Sequence, residues 1–275
     1  MRKILIVFSD PLIFGRGHFT RQKYLAQVLA GGGFEVKLLV NGSPLDSLVN
    51  FEFLLLDLSD QDVSPPEDIL EAFKFVVGFD WSRNFVPDLN FVVFSHTRKV
   101  YPSKIETYIG FDYLIFDNRF TSNIKDTGAS LDRYQLISIG FSAKSNKILE
   151  ALEVAYEISN LPIKICSGVE LDFVHNNSVE ILRNPDNYVQ LVQDSEIIYT
   201  NGASTLLEAM LLKKRIVALP QTVDEEFFIA EIENRLGVAF TPSKRNNNFL
   251  EYDTSKIFDA KGAMRIVEVL GEYLH

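Results

Sequence analysis

Residues Asp194 to Leu219 read DSEIIYTNGASTLLEAMLLKKRIVAL, and Pro220 follows them. A β-rich run, Ile197 to Thr200, stops at Asn201-Gly202, a pair suited to a tight turn. Helix formers take over from Ser204 to Leu212, and a short apolar run from Ile216 to Leu219 ends at the proline. Strand, small-residue turn, helix and strand make a βαβ unit. At the head of that helix the N–H groups near Ala203, Ser204 and Thr205 lack intrahelical partners, with the positive end of the helix dipole behind them. A phosphate suits such an end. An ordinary strand-to-helix connection with a Ser/Thr cap has the same residues. Glu208 lies about one turn into the helix, within reach of a sugar hydroxyl.

A second glycine-rich turn stands near the start of the chain. Ile4 to Phe8 read as a buried strand, followed by SDPLIFGRGHFTRQ and then by helix formers from about Phe19 to Ala30. Gly31-Gly32-Gly33 ends that helix and Glu35 to Val40 read as a second strand. This too is a βαβ unit, with Gly15-Arg16-Gly17-His18 at its first turn. Further strands are expected at Phe53 to Leu58, Phe75 to Phe79, Asn90 to Phe94 and Tyr113 to Phe116, and a helix from Pro65 to about Phe73. Nearly every strand is apolar on both faces, the mark of a parallel sheet covered on both sides.

Asn123 to Arg133 is polar and reads as a boundary. After it come a strand (Gln135 to Gly140), a helix (Lys144 to Ile158), a strand (Ile163 to Ser167), short helical pieces (Val179 to Val192) and the βαβ unit quoted above. Helices at Val223 to Arg235 and Ala263 to Tyr273 close the chain, with Ser243 to Asn248 as an exposed loop. The expected fold is α/β, with two doubly wound Rossmann-like domains, 1–132 and 133–275, facing across a cleft.

With 275 residues, 47% hydrophobic and 23% charged, the chain can bury two cores. Its net charge of −10 argues against a nucleic-acid or anionic-membrane partner. No apolar run approaches the ~20 residues that span a bilayer. The opening Met1-Arg2-Lys3 and apolar run read as a first strand and not as a signal peptide, so a cytoplasmic location is expected. The sole cysteine, Cys166, excludes an internal disulfide and a cysteine metal cage, and reads as a buried, inert thiol. His96, His175 and His275 show no metal-ligand spacing, and the 22 phenylalanines read as packing.

Together the two turns resemble the glycosyltransferase-B superfamily, in particular the UDP-sugar hydrolase of pseudaminic acid synthesis with the related spore-coat polysaccharide proteins. A second similar branch is the N-acetylglucosaminyltransferase of the peptidoglycan lipid precursor. Gly15-Arg16-Gly17-His18-Phe19-Thr20-Arg21, then Leu25-Ala26, resemble the hydrolases' Gly-Thr-Gly-His-x-x-Arg turn and Leu-Ala pair. Gly202 to Glu208 resemble the Gly-x-x-Thr-x-x-Glu turn of both branches, and Leu219-Pro220 and Leu236-Gly237-Val238-Ala239 follow in order. Departures are Gly140-Phe141-Ser142-Ala143 for the hydrolases' Gly-Gly-x-Asp, Glu225-Glu226 for an Asn-Gln pair, and Asp80-Trp81 for paired aspartates. An acidic pair at 225–226 would repel a diphosphate unless it faced sugar hydroxyls.

The resemblance implies a UDP-sugar or other nucleotide-sugar as ligand, without metal or cofactor. His18 would be the base that activates water at the anomeric carbon, with loss of UDP. Gly15, Gly17, Arg21, Gly202, Ser204, Thr205 and Glu208 would contact substrate. From the residues alone, His18 is equally a helix-start residue bonded to a carbonyl, and Arg21 a surface ion pair. Asp10 could orient the histidine or the sugar but reads first as a turn cap; Asn118 and Asn146 fall near positions where the hydrolases have asparagines and are equally turn or cap residues. Two alternatives stay open: transfer of the sugar to another acceptor, and nucleotide-sugar binding without catalysis. A lipid-linked acceptor needs an exposed apolar or basic patch in the first domain, and none stands out in the sequence. The base, sugar and oligomeric state are not legible.

Overall fold

A computed structural model describes residues 2–14, 17–44, 50–59, 62–65, 67–81, 91–95, 105–116, 119–120, 133–140, 143–171, 178–183, 185–202, 204–242, 252–256 and 259–273. Gly15, Arg16, His96, Asn118, Phe141-Ser142, His175, Ala203, His275, the 123–132 stretch of the expected boundary and the expected 243–248 loop lie outside these residues. The chain forms two compact units, Met1–Asp117 with Phe258–His275, and Asn118–Ile257.

Through the first unit the elements run β1 (Lys3–Phe8), α1 (Pro11–Phe14), α2 (Gly17–Gly31), β2 (Glu35–Val40), β3 (Phe53–Asp57), α3 (Glu67–Glu71), β4 (Phe75–Phe79), β5 (Phe91–Ser95) and β6 (Glu106–Ile109). The second unit has β7 (Gln135–Ser138), α4 (Ser145–Ile158), β8 (Ile163–Cys166), β9 (Val179–Leu182), α5 (Tyr188–Asp194), β10 (Ile197–Thr200), α6 (Ser204–Leu211), β11 (Arg215–Ala218) and α7 (Val223–Leu236). The chain then returns to the first unit as α8 (Gly262–Tyr273).

All pairings in both sheets are parallel. The first sheet is ordered β2-β1-β3-β4-β5-β6 and the second β11-β10-β7-β8-β9. In each, the chain leaves its first strand toward one edge and later returns to the other side of that strand. The reversal falls between β1 and β3 in one unit and between β7 and β10 in the other. Outside the carboxyl ends of such strand pairs, doubly wound sheets hold their ligands.

Alternation along the strands covers both faces of the first sheet. Ile4 and Ile6 pack with Leu25 and Leu29 of α2 and with Ile266 and Leu270 of α8, while Leu5 and Val7 pack with Leu54, Leu56, Leu70 and Phe73. The doubly wound α/β expectation holds, and most elements fall within two residues of their expected bounds. Three differ. Tyr113 to Phe116 is not a strand: the edge strand is Glu106–Ile109, and Phe111–Tyr113 make one 3₁₀ turn. Val179 to Leu182 is a strand, where helix was expected.

The third difference concerns the last helix. The expected division at 132 puts α8 in the second unit, yet α8 seals the first sheet. Gly262 opens α8 against the backbone of Leu114, so closely that a Cβ there would sit 2.0 Å from the Leu114 carbonyl oxygen. At the far end the Tyr273 ring packs tilted against Phe75, 4.8 Å between centroids, and its hydroxyl lies 3.1 Å from that of Tyr108. Gly262→Ala is therefore expected to force α8 off the sheet and to cost about 1–3 kcal/mol in urea unfolding. Unchanged stability would show that α8 is not held by that contact.

Candidate functional site

β1 hands over to α2 at the reversal point, and β3 lies directly beside β1 with Phe8 opposite Asp57. That register sets the last residue of β3 beside the first turn of α2. Positions 18, 21 and 22 of α2 share one face, since three- and four-residue spacings stack along a helix. All three reach Asp57.

His18 Nδ1 lies 2.7 Å from Asp57 Oδ1. An ionised carboxylate only accepts, so Nδ1 carries the proton and, in the neutral ring, Nε2 carries the lone pair; the tautomer is assigned from this bond. Arg21 donates to both Asp57 oxygens through Nε and Nη2, and Gln22 Nε2 donates to Oδ2 at 2.8 Å. The remaining Arg21 arm, Nη1, donates to Asp80 Oδ2 at 3.0 Å, and Ser95 Oγ donates to Asp80 Oδ1 at 3.1 Å. Asp80 sits just past β4 at φ 48, a left-handed conformation that Asp tolerates better than most residues, and its N–H donates to the Phe94 carbonyl.

Asp57 is fully buried, while His18 keeps 23% of its side chain exposed. Burial works to raise the Asp57 carboxyl, but the charges of Arg21 and His18 and their hydrogen bonds outweigh it and hold the group well below the usual carboxylate range. Burial likewise works to lower the Arg21 guanidinium, and Asp57 and Asp80 together raise it above its ordinary value.

In the second unit the reversal point gathers hydroxyls. Ser138 ends β7 opposite Thr200 of β10. The buried Tyr188 hydroxyl lies 2.7 Å from Thr205 Oγ1 in the first turn of α6 and 3.1 Å from Ser138 Oγ. Burial, and next the charge of Glu208, push that phenol above its ordinary range. Gly202 turns the chain at φ 95, and a Cβ there would lie 2.7 Å from the Ile229 side chain, so this turn requires glycine.

Glu225 is not a free repulsive charge. It is the third residue of α7 and closes a capping box with Thr222, whose hydroxyl accepts from the Glu225 N–H. Its Oε2 accepts from the N–H groups of Gln221 (2.7 Å) and Thr222 (3.1 Å), and its Oε1 from Asn201 Nδ2 (2.5 Å). The Asn-Gln departure thus ties α7 to the 201–202 turn; Glu226 is exposed.

Of the residues singled out in the sequence, Gly17, His18 and Arg21 fall together at the head of α2. Gly202, Ser204, Thr205 and Glu208 fall together at α6. Asp10 is the turn cap expected, accepting from Leu12 N–H at 2.8 Å. Asn146 is exposed within the first turn of α4. Cys166 is half-buried, and burial pushes its thiol up to about 12, away from the reactive thiolate.

Sequence reasoning missed Asp57, Gln22, Ser95 and Tyr188. A lone Asp closing the apolar run Phe53 to Leu56 was the available signal. Leu12 (73% exposed) and Ile13 (61%) supply an apolar surface on α1 that the sequence had not revealed. On the sheet face opposite α2, an apolar cavity of about 150 Å³ is lined by Leu5, Val7, Leu39, Leu54, Ile69 and Phe73, with no charged side chain among the described residues that line it. Among the described residues no group of three or more His, Cys, Asp or Glu could hold a metal ion, and no helix is long and apolar enough to cross a membrane.

No protein-family model matches the chain. In sequence it is 23% identical to the protein MJ1062 of Methanocaldococcus jannaschii over 98% of its own length, spanning 66% of that relative. In structure it is similar to UDP-GlcNAc 2-epimerase from Neisseria meningitidis bound to UDP-GlcNAc (TM-score 0.64, 13% identity, 98% of this chain and 100% of that one). It is also similar to the M. jannaschii UDP-GlcNAc 2-epimerase in complex with UDP-GlcNAc and UDP (0.61, 11%, 98% and 99%) and to S. aureus MnaA solved with UDP (0.60, 12%, 100% and 97%). These likenesses establish the fold, the doubly wound two-sheet architecture of such enzymes.

Because the folded Asp57 carboxyl binds its proton less readily than the unfolded chain's, which titrates at about 3.9, its contribution to stability is complete above that pH. It is lost as the pH falls further toward the depressed folded value. Urea midpoints measured from pH 6 down to pH 2 should therefore drop less steeply with acid in Asp57→Asn than in the wild type, whatever the variant's starting stability. Equal slopes would show that Asp57 carries no such linkage.

Proposed function

We propose that the chain is a nucleotide-sugar enzyme that breaks the bond between an anomeric carbon and a diphosphate, with water as acceptor. The observation that carries this reading is the His18 ring. It is partly exposed, its Nδ1 proton is bonded to a buried carboxylate, and Nε2 is left with its lone pair in the neutral form. An imidazole in that tautomer is equipped as a general base at neutral pH. In the proposed step Nε2 takes a proton from water as the water oxygen bonds to the anomeric carbon. The bond from that carbon to the diphosphate oxygen breaks, and the nucleotide leaves with the electron pair.

In the same reading the second unit holds the nucleotide. The N–H groups at the head of α6, with the hydroxyls of Ser204 and Thr205, would face the diphosphate, and Glu208 the ribose. The likeness in fold to proteins solved with UDP or UDP-GlcNAc supports the ligand class. The hydrolase resemblance of Gly15 to Arg21 supports water as acceptor. A second reading, transfer of the sugar to an apolar acceptor, is favoured by exposed Leu12 and Ile13 just before the His18 helix.

Incubation with UDP-N-acetylglucosamine and other UDP-sugars, with products followed by chromatography, separates the readings. Free UDP with free sugar supports hydrolysis, a sugar adduct supports transfer, and a C2 epimer of the intact donor contradicts both. Binding without turnover contradicts catalysis altogether. His18→Asn is expected to lower turnover by about 10²–10⁴-fold, the usual contribution of a general base, while the UDP dissociation constant changes by less than about twofold. Unchanged turnover removes the base assignment.

A further inference from the structure

A hydroxyl helps to hold an anion only if its proton points at the anion. Whether the Thr205 proton does so is decided by Tyr188. This tyrosine opens α5, outside the βαβ unit that carries Thr205, and its phenol oxygen lies 2.7 Å from Thr205 Oγ1 and 3.1 Å from Ser138 Oγ at the end of β7. Ser138 is buried, and Thr205 and the Tyr188 residue as a whole are half-buried. Burial, with the Glu208 charge next, holds the phenol above its ordinary range, so it keeps its proton at neutral pH.

Each hydroxyl carries one proton and can both donate and accept. Two bonds among three hydroxyls use two protons and leave the third to point elsewhere. Among the described residues the two alcohols are the hydrogen-bond partners of the phenol. An arrangement in which both alcohols donate to it therefore leaves its own proton without an acceptor in a buried place, which is costly. Two directions remain. From Ser138 to Tyr188 to Thr205, the outward proton belongs to Thr205, at the head of α6. In reverse it belongs to Ser138, and Thr205 turns lone pairs toward that head. Ionised phosphate oxygens only accept, so the reverse direction would set acceptor against acceptor. A phenol is also more acidic than an alcohol and the better donor, and the shorter of its two contacts is the one to Thr205.

We infer that Tyr188 is a positioning residue of the second unit: it donates to Thr205 Oγ1 and so commits the Thr205 proton to an anionic ligand at the head of α6. The inference rests on the reading of that head as the diphosphate site. Tyr188 needs no contact with the ligand in this role. It acts through Thr205 and favours ligands that bring a phosphate oxygen, while the nucleoside portion is indifferent to it.

The test is calorimetric titration with UDP, and NMR shift titration with uridine, of the wild type, Tyr188→Phe, Thr205→Val and the double variant. Tyr188→Phe keeps the ring and removes the hydroxyl. It is expected to weaken UDP binding by about three- to tenfold, the usual effect of one hydrogen bond, and to leave uridine within about twofold. In the Thr205→Val background the same change should add less than about twofold, because the bond it removes is already absent. Unchanged UDP binding in Tyr188→Phe would overturn the inference. So would equal losses of UDP and uridine, or equal losses of UDP with and without the Thr205 hydroxyl; each of these leaves the nucleotide reading standing. Wild-type protein that does not bind UDP would overturn the nucleotide reading and the inference with it. If Tyr188→Phe does not fold, Ser138→Ala decides. With Ser138 gone, Tyr188 can donate only to Thr205, and UDP affinity should stay within about twofold of wild type. A tenfold loss there would put the outward proton on Ser138 and overturn the inference.

Discussion

The first unit depends on one ionised carboxylate buried where water cannot reach it. Asp57 is tolerable there because His18, Gln22 and two arms of Arg21 all donate to it. Taking such a group out of water costs several kcal/mol, and breaking a pair of this kind typically costs about 3–5 kcal/mol. The same arrangement that makes the charge tolerable fixes the imidazole. The ring cannot rotate without breaking its bond to Asp57, nor move away without leaving Asp57 one donor short. Stability and the chemistry proposed for His18 thus rest on the same set of hydrogen bonds, which is common where a folded protein holds a titratable group for use.

Topology is what makes the arrangement possible. His18 and Asp57 are 39 residues apart, and only the return of the chain to the far side of β1 makes them neighbours. The second unit repeats the principle with hydroxyls in place of charges. Ser138, Tyr188 and Thr205 come from three separate elements and meet where β7 and β10 run side by side.

Much of this was legible in the sequence. Strands buried on both faces announce themselves as apolar runs, so β1, β3, β4 and β10 fall close to their expected places. The edge strand Glu106–Ile109 did not, because an edge needs no continuous apolar run and its residues are half-exposed or exposed. Tyr113 to Phe116 looked like a strand for the converse reason. Tyr113 and Ile115 are half-buried by packing against the cluster that contains α8 and against the neighbouring aromatics, with no ladder to join. An amphipathic pattern shows that α8 has a face to bury but not which sheet receives it. Asp57 was invisible for a similar reason: a polar residue at a strand end is ordinary until strand order and register set it beside His18. Glu225 misled because charge is read from sequence at once, whereas its partners, the 221–222 backbone and Asn201, depend on the folded turn.

A crystal structure of the protein with UDP-N-acetylglucosamine bound to the His18→Asn variant tests the central claim most directly. The account predicts diphosphate oxygens within hydrogen-bonding distance of Ser204 and Thr205, and the sugar's anomeric carbon on the side of residue 18 where Nε2 lay. Nucleotide bound away from the head of α6, or a sugar out of reach of residue 18, would contradict it.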